Sequence, residues 1–439
     1  MNQYLPNCLG SCGISADAFG IDVIDPAREY PTTSGFIDDR PSDELPNSVD
    51  ESLKIPALCS DGSNDFPNSF CSKPQYPFGD GRDQGDKFDA ARLFSAVFNP
   101  APGEVLTMMQ DLPHGEIADK PAWARRRAMI QEWWEMIKSQ AARWNIQVNP
   151  IASYLATGYN NGELPDACFI EGKVRSLGEV IMESSMIMAM TQFSASAPLM
   201  GWTEKNDRLR VASMPGVLKS MESTALSADY AELKRKSIEV GRIFDRAISA
   251  EVIFSTGHRC NFRLGNITCY DNGILHPSNG RGSRLCNLPA GEVCMVPSNA
   301  EGKLPHVIEG GLVVYSVRNK QIVDIEGDEP VAMERRAYFD LDPSRRNIAE
   351  FAVGINDWAS GTSPATVEAE KAHGIHWAYG RDKHIPGGKV GAEHFLSPEF
   401  VVHQDIVYAR DRSIICSKLI MKLKDGTHYV LIENGKLLI

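Results

Sequence analysis

Apolar and polar positions divide the chain into a part without periodicity and a part with it. In residues 1–90 apolar side chains come singly or in short runs, such as Phe19-Gly20-Ile21-Asp22-Val23-Ile24, among Pro, Gly, Ser, Asn and Asp. Neither the helical nor the strand period is sustained there. The segment reads as an irregular N-terminal extension. From Asp89 the pattern becomes globular. Ala90–Phe98 reads as a short helix, and Gly103–Met109 as a buried strand entering a loop at Asp111-Leu112-Pro113. Over Ala122–Trp144, Trp123, Met129, Ile130, Trp133, Trp134 and Ile137 recur at helical spacing, and Asn145–Ile151 reads as a second strand. Leu177–Phe193 is methionine-rich and reads as a helix, or a strand plus helix, whose methionines fill the core. Ser227-Ala228-Asp229 opens an amphipathic helix reaching about Ala247, with Ser227 as its cap.

Beyond about residue 250 the period switches to two. Val252–Ser255, Asn261–Leu264, Leu312–Ser316 and Val401–Tyr408 read as strands, and Ile420–Ile432 as a hairpin with an Asp425-Gly426 turn. Strand–helix alternation in the first part predicts a parallel sheet. The expected fold class is therefore α/β: an N-terminal parallel-sheet α/β domain over 91–250 and a C-terminal mixed α+β domain over 251–439, preceded by the irregular extension 1–90. No Gly-x-Gly-x-x-Gly or Walker sequence follows any of the strands, so no nucleotide cofactor is expected.

Charge changes this picture in one respect. The chain of 439 residues carries a formal net charge of −12. Residues 1–90 hold 16 acidic and 6 basic side chains, so the extension accounts for −10 and the body is nearly neutral. Neither part offers the basic face that nucleic acid or an anionic membrane surface requires, and neither partner is expected. No transmembrane run and no signal-peptide pattern is present. The ten cysteines are dispersed, which suits reduced thiols and a cytoplasmic location. Cys8 and Cys12 have a C-x3-C spacing without a second close Cys/His pair, a weak pattern for zinc.

Candidate chemistry concentrates in the second half, where six of the ten histidines lie between residues 373 and 428. His403-Gln404-Asp405 places an imidazole and a carboxylate on one side of a strand, where both can face one cation. In Gly374-Ile375-His376-Trp377-Ala378-Tyr379-Gly380, His376 shares a side with Gly374, Ala378 and Gly380, which leaves room for a metal and a substrate. Glu292 and Glu350 stand in apolar runs, where a carboxylate is costly to bury unless paired or bound to metal. Taken singly, each has an ordinary alternative: a surface pair, a satisfied core histidine, a carboxylate at a strand end. Together, two Glu, two His and one Asp suit a pair of divalent cations sharing carboxylates.

The runs Leu288-Pro289-Ala290-Gly291-Glu292-Val293, Ala349-Glu350-Phe351-Ala352-Val353-Gly354-Ile355-Asn356, Gly374–Arg381 and His403-Gln404-Asp405 resemble, in order and spacing, the aminopeptidase T / aminopeptidase S family of thermophilic leucyl aminopeptidases. The resemblance covers roughly residues 95–439. It implies a two-domain homodimer with a dinuclear metal centre in the C-terminal domain. It also implies metal ligation by Glu292, Glu350, His376, His403 and Asp405, with Glu350 activating the attacking water. The implied cofactors are two divalent ions, zinc, cobalt or similar, and the implied substrate is a small peptide or amide.

One position departs from the family, which carries a catalytic Tyr seven residues after the histidine matching His376. Here that residue is Lys383, followed by His384; either can stabilise a developing oxyanion by charge. Tyr379 is at the wrong offset. The loop Pro386-Gly387-Gly388-Lys389 beside it reads as a turn or as part of the pocket wall. The expected function is a metalloaminopeptidase-like hydrolase. The alternative is an iron(II)-dependent ring-cleaving dioxygenase of the dihydroxypyridine type, whose two-His, one-carboxylate set would want a histidine where Glu350 stands. A third reading is a catalytically silent binding protein.

Overall fold

The structure, a computed structural model, describes residues 88–265, 267–277, 284–397 and 400–439. Nearly all of the acidic extension, Cys8 and Cys12 included, lies outside them. The first part runs α1 (Ala90–Phe98), β1 (Val105–Leu112), α2 (Pro121–Trp144), β2 (Gln147–Val148), β3 (Ala152–Leu155), β4 (Ala167–Ile170), β5 (Lys173–Ser176), α3 (Leu177–Glu183), β6 (Met186–Ala189), α4 (Ser196–Lys205), β7 (Arg210–Ser213) and α5 (Tyr230–Arg246). The second runs β8 (Ala247–Phe254), β9 (Arg259–Arg263), β10 (Cys269–Asp271), β11 (Leu285–Asn287), β12 (Glu292–Met295), β13 (Asn299–Ile308), β14 (Gly311–Arg318), β15 (Gln321–Gly327), α6 (Val331–Asp340), β16 (Ile348–Gly354), α7 (Thr366–Ala369), β17 (Gly374–Gly380), β18 (His403–Ala409), β19 (Cys416–Leu423), β20 (His428–Glu433) and β21 (Lys436–Leu437).

The α/β class holds. The first sheet follows the order β11-β7-β6-β1-β3-β4-β5, parallel from β11 through β3, with β2 also alongside β1. Both of its faces are covered, as a parallel sheet requires. Met186 and Met188 of β6 enter one apolar core and Ile187 and Ala189 enter another. β11 brings the chain back into this sheet from beyond residue 250, so the two parts are interleaved.

Several boundaries differ from the pattern-based expectation. The methionine-rich segment is a helix followed by a strand, because Ser176 caps α3 by accepting from Glu179 N and the chain straightens only at Ser184. The strand expected over Asn145–Ile151 is split. Asn145 ends α2 in the left-handed conformation, and Pro150, which has no N–H to donate, separates β2 from β3. Asp111 and Leu112 belong to β1 rather than to a loop. Asp229, not Ser227, caps α5, accepting from Ala231 N at 2.9 Å and Glu232 N at 3.3 Å. Replacing Asp229 with Ala is expected to cost about 1 kcal/mol in urea denaturation and to leave metal content unchanged.

The second part holds two antiparallel sheets. One is an eight-stranded sheet in the order β15-β14-β13-β9-β8-β19-β20-β21; the other has five strands in the order β10-β12-β16-β17-β18. The five-stranded sheet positions the chemistry, because its back face is fixed in the core. Phe351 of β16 stacks on Phe244 of α5 at 6.0 Å and on Phe262 of β9 at 4.6 Å. On β17, Trp377 Nε1 donates to Tyr408 Oη at 2.9 Å, and that hydroxyl donates to the Pro305 carbonyl at 2.8 Å. With the odd-numbered residues of β16 and β17 locked in this way, the even-numbered ones face the other side. Among the described residues, no helix is long and apolar enough to cross a membrane.

Candidate metal centre

The front face of this sheet is built in rows by the strand register. One row aligns Glu350, Ala378 and Asp405; the next aligns Cys269, Cys294, Ala352 and His376; a third aligns Asp271, Glu292, Gly354 and Gly374. His403 pairs with Gly380 at the far end. The one or two polar side chains that each of these buried strands places on this face therefore become one cluster. Glu292, Glu350, His376 and His403 are fully buried, and Asp405 is nearly so.

The separations are compatible with ligands around a metal ion. His376 Nε2 lies 3.3 Å from Glu292 Oε2 and 3.7 Å from Glu350 Oε1. His403 Nε2 lies 3.1 Å from Glu350 Oε2 and 3.6 Å from Asp405 Oδ1. All four exceed the 2.7–2.9 Å of a good charge-assisted hydrogen bond. Two ligands about 2.1 Å from a tetrahedral ion sit roughly 3.4 Å apart. Three sets of donor atoms lie within 4.8 Å of one another: Glu292–Glu350–His376, Glu350–His403–Asp405 and Glu370–His376–Asp405. Glu350 is shared by the first two and stands between them. His403 Nδ1 donates to the Arg381 carbonyl at 2.7 Å, which in the neutral ring leaves the Nε2 lone pair facing the cluster.

Charge is the dominant feature of the face. Five buried carboxylates, Asp271, Glu292, Glu350, Glu370 and Asp405, meet one ammonium. The Lys371 Nζ lies 2.9 Å from Asp271, 2.8 Å from Glu292 and 3.2 Å from Glu370, with all four side chains fully buried. Among the described residues, the ion pairs of these acids are with Lys371, His376 and His403. Burial raises the Glu292 and Glu370 pKa values well above the usual range, and Lys371 offsets this only in part. Burial also disfavours charge on His403, but Asp405 and Glu350 outweigh it and raise its pKa well above the usual histidine value. Without a metal, the cluster thus relieves its own repulsion by holding protons.

All five candidate ligands named from the sequence meet here. Asp271, Glu370 and Lys371 were not anticipated. Asp271 gave the same signal as Glu292, a lone acid within an apolar strand. Glu370-Lys371 reads in sequence as a solvated pair, and only the turn before β17 folds it inward. Lys383 does not join the cluster: its side chain is exposed and pairs with Glu393 at the surface. His384 does, edge-on to His403 with ring centroids 4.7 Å apart. Burial, His403 and Arg381 push its pKa well below the usual value, so it is neutral and offers a hydrogen bond rather than a charge. Tyr379 points into the core, accepting from Arg335 Nη2 at 2.8 Å and donating to Gln404 Oε1 at 2.6 Å. Asp382 Oδ1 accepts from Lys389 N and Val390 N and so ties down the loop after Ile385. The glycines flanking His376 serve the backbone rather than pocket space. Gly374 and Gly380 have φ of 151° and 104°, and a Cβ on either would strike a β18-side carbonyl, of Tyr408 or Val402.

No protein-family model and no curated protein matches the chain. Among solved structures, 2,5-dihydroxypyridine dioxygenase from Pseudomonas putida KT2440 is similar, with a TM-score of 0.55 and 14% identity over 80% of this chain and 96% of that one. Wild-type AmpT from Thermus thermophilus is also similar, with a TM-score of 0.50 and 15% identity over 80% of this chain and 99% of that one. The chain thus shares a fold, at long distance, with an aminopeptidase T and with a ring-cleaving dioxygenase, and that likeness does not separate the two chemistries. It does carry a buried carboxylate–histidine cluster able to hold metal ions.

Proposed function

We propose that this protein is a dinuclear metal-dependent hydrolase that cleaves a small amide or an N-terminal peptide bond. The observation that carries the reading is the charge of the buried face. With its protons displaced by bound ions, that face would set five carboxylates against Lys371 and two neutral histidines, an excess of four negative charges. Two divalent cations would cancel it, whereas a single iron(II) would leave two charges to be neutralised by protons held on the buried acids. The membership of Glu350 in two donor sets supports the same count, since its two carboxylate oxygens can serve both, whereas a neutral imidazole has a single free lone pair.

Glu292, Glu350 and His376 would hold one ion, and Glu350, His403 and Asp405 the other, with Glu370 adjoining both through His376 and Asp405. Divalent ions held by these residues would supply Lewis acidity, polarising an amide carbonyl and acidifying a water molecule. A Glu350 carboxylate oxygen is placed to take the proton of that water and return it to the leaving amine, so that water adds to the carbonyl carbon as the C–N bond breaks. His384, neutral and beside His403, is placed to donate a hydrogen bond to the developing oxyanion, the role the family gives to Tyr.

Elemental analysis of the purified protein tests this. About two divalent ions per chain are expected, together with chelator-sensitive hydrolysis of aminoacyl anilides. One iron per chain, with oxygen uptake on a dihydroxypyridine and no turnover of any free-amine amide, would establish the dioxygenase reading instead. The cytoplasmic location and the homodimer are part of the same proposal; gel filtration at a mass near twice 48.4 kDa would support the latter.

A further inference from the structure

Lys371 divides the three donor sets of the metal centre. Its ammonium lies 2.8 Å from Glu292 Oε1 and 3.2 Å from Glu370 Oε1. One of these two acids belongs to Glu292–Glu350–His376 and the other to Glu370–His376–Asp405. The set Glu350–His403–Asp405 contains neither, and among the described residues none of its members pairs with Lys371. An ion entering the Glu292 set finds Oε1 in contact with the ammonium and Oε2 facing His376 at 3.3 Å. An ion entering the His403 set competes with the ammonium for no oxygen.

The two imidazoles differ in the same direction. His403 Nδ1 donates to the Arg381 carbonyl at 2.7 Å, which fixes the ring with Nε2 towards Glu350 and Asp405. His376 Nδ1 has no hydrogen-bond partner among the described residues. A ligand imidazole oriented through its second nitrogen binds a metal more tightly, by about 10- to 100-fold where such a partner has been removed. The carboxylates differ as well. Glu292 and Asp405 are both fully buried at the side chain, and neither accepts a hydrogen bond among the described residues. Glu292 has the ammonium in contact, whereas the one ion-pair contact of Asp405 is His403 at 3.6 Å. A buried carboxylate so placed is costly until a cation meets it. Glu350 serves both sides without conflict: Oε2 lies 3.1 Å from His403 and Oε1 lies 3.7 Å from His376.

We propose that the two ions are held unequally, with Glu350–His403–Asp405 as the resident site that fills first and Glu292–Glu350–His376 as the site of a second, exchangeable ion whose supply regulates hydrolysis. The inference rests on the reading of the cluster as a dinuclear hydrolase and adds its regulation. Lys371 acts here as a positioning residue: it holds Glu292 and keeps the second ion weak.

Equilibrium titration of the chelator-stripped, full-length protein with zinc, in competition with a chromophoric chelator, tests this without requiring turnover. Two phases are expected, with dissociation constants about 10-fold or more apart. Glu292→Gln is expected to remove the weaker phase and keep the tighter one, and Asp405→Asn to remove the tighter one. Wild-type crystals carrying one equivalent of zinc give the answer without a substitution: anomalous density is expected beside His403 and Asp405, and none beside Glu292. Hydrolysis of an aminoacyl anilide is expected to rise with the weaker phase. A single affinity for two ions, or first density beside Glu292 or equally in both sets, overturns the proposal and leaves the dinuclear hydrolase standing. A tighter phase that is lost in Glu292→Gln and kept in Asp405→Asn does the same. Saturation at one ion per chain overturns the proposal and the dinuclear reading together, so the two failures are distinguishable.

Discussion

Replacing Glu350 by glutamine is expected to reduce the metal content from about two ions per chain to one or none, and to lower amide hydrolysis by about 10³-fold or more. The substitution changes almost no volume, so its effect is chemical. Glutamine keeps one weak oxygen donor and loses the charge. Glu350 lies within 3.7 Å of His376 and 3.1 Å of His403, in both donor sets at once, so neither set is complete without it. The same change removes the base proposed to take a proton from water, so restoring metal occupancy at high concentration is expected to leave activity low. Inductively coupled plasma analysis and anilide hydrolysis measured on one sample separate the two losses. A variant that keeps two ions and most of its activity would remove Glu350 from both roles.

The ligands were legible in the sequence for a definite reason. Glu292, Glu350, His376, His403 and Asp405 sit in strands whose alternate residues are large and apolar, and in a buried strand the period of two assigns each polar residue to the opposite face. That argument places a side chain on a face but does not say which faces meet. It could not find Glu370 and Lys371, which precede β17 and come inward by a turn rather than by alternation. It also could not tell Lys383 from His384: adjacent residues in a loop point in directions set by local hydrogen bonds. Here the Lys383 side chain goes out to Glu393 and the His384 ring packs against His403. The glycines around His376 were misread as space because a missing side chain looks the same in sequence whether it spares a ligand or a neighbouring backbone. Helix and strand order was legible wherever the apolar period was long, as in α2 and α5. It failed over residues 145–151 and 177–193, where short elements meet at a capping residue or a proline.

Lys371 is where a single substitution should cost the fold most. Among the described residues, its ammonium is the only cation other than the two histidines in ion-pair contact with the five buried acids, and it touches three of them. Burial opposes its charge, yet Asp271, Glu292 and Glu370 outweigh that and hold its pKa above the usual lysine value. Lys371→Met replaces the stem with a side chain of similar length and strands those three carboxylates. Removing one partner of a buried ion pair typically costs about 3–5 kcal/mol, and a loss of that size is expected in urea denaturation of the metal-loaded protein. The variant should also depend more on its metals. With the ammonium gone, the excess negative charge of the face grows by one, so a chelator is expected to lower the melting temperature of Lys371→Met further than that of the wild type. This coupling distinguishes an electrostatic role from simple loss of packing, which would shift both melting temperatures equally with and without chelator. Equal shifts would mean that the carboxylates are neutralised by protons in the loaded protein, and the charge balance that calls for two divalent ions would fail with them.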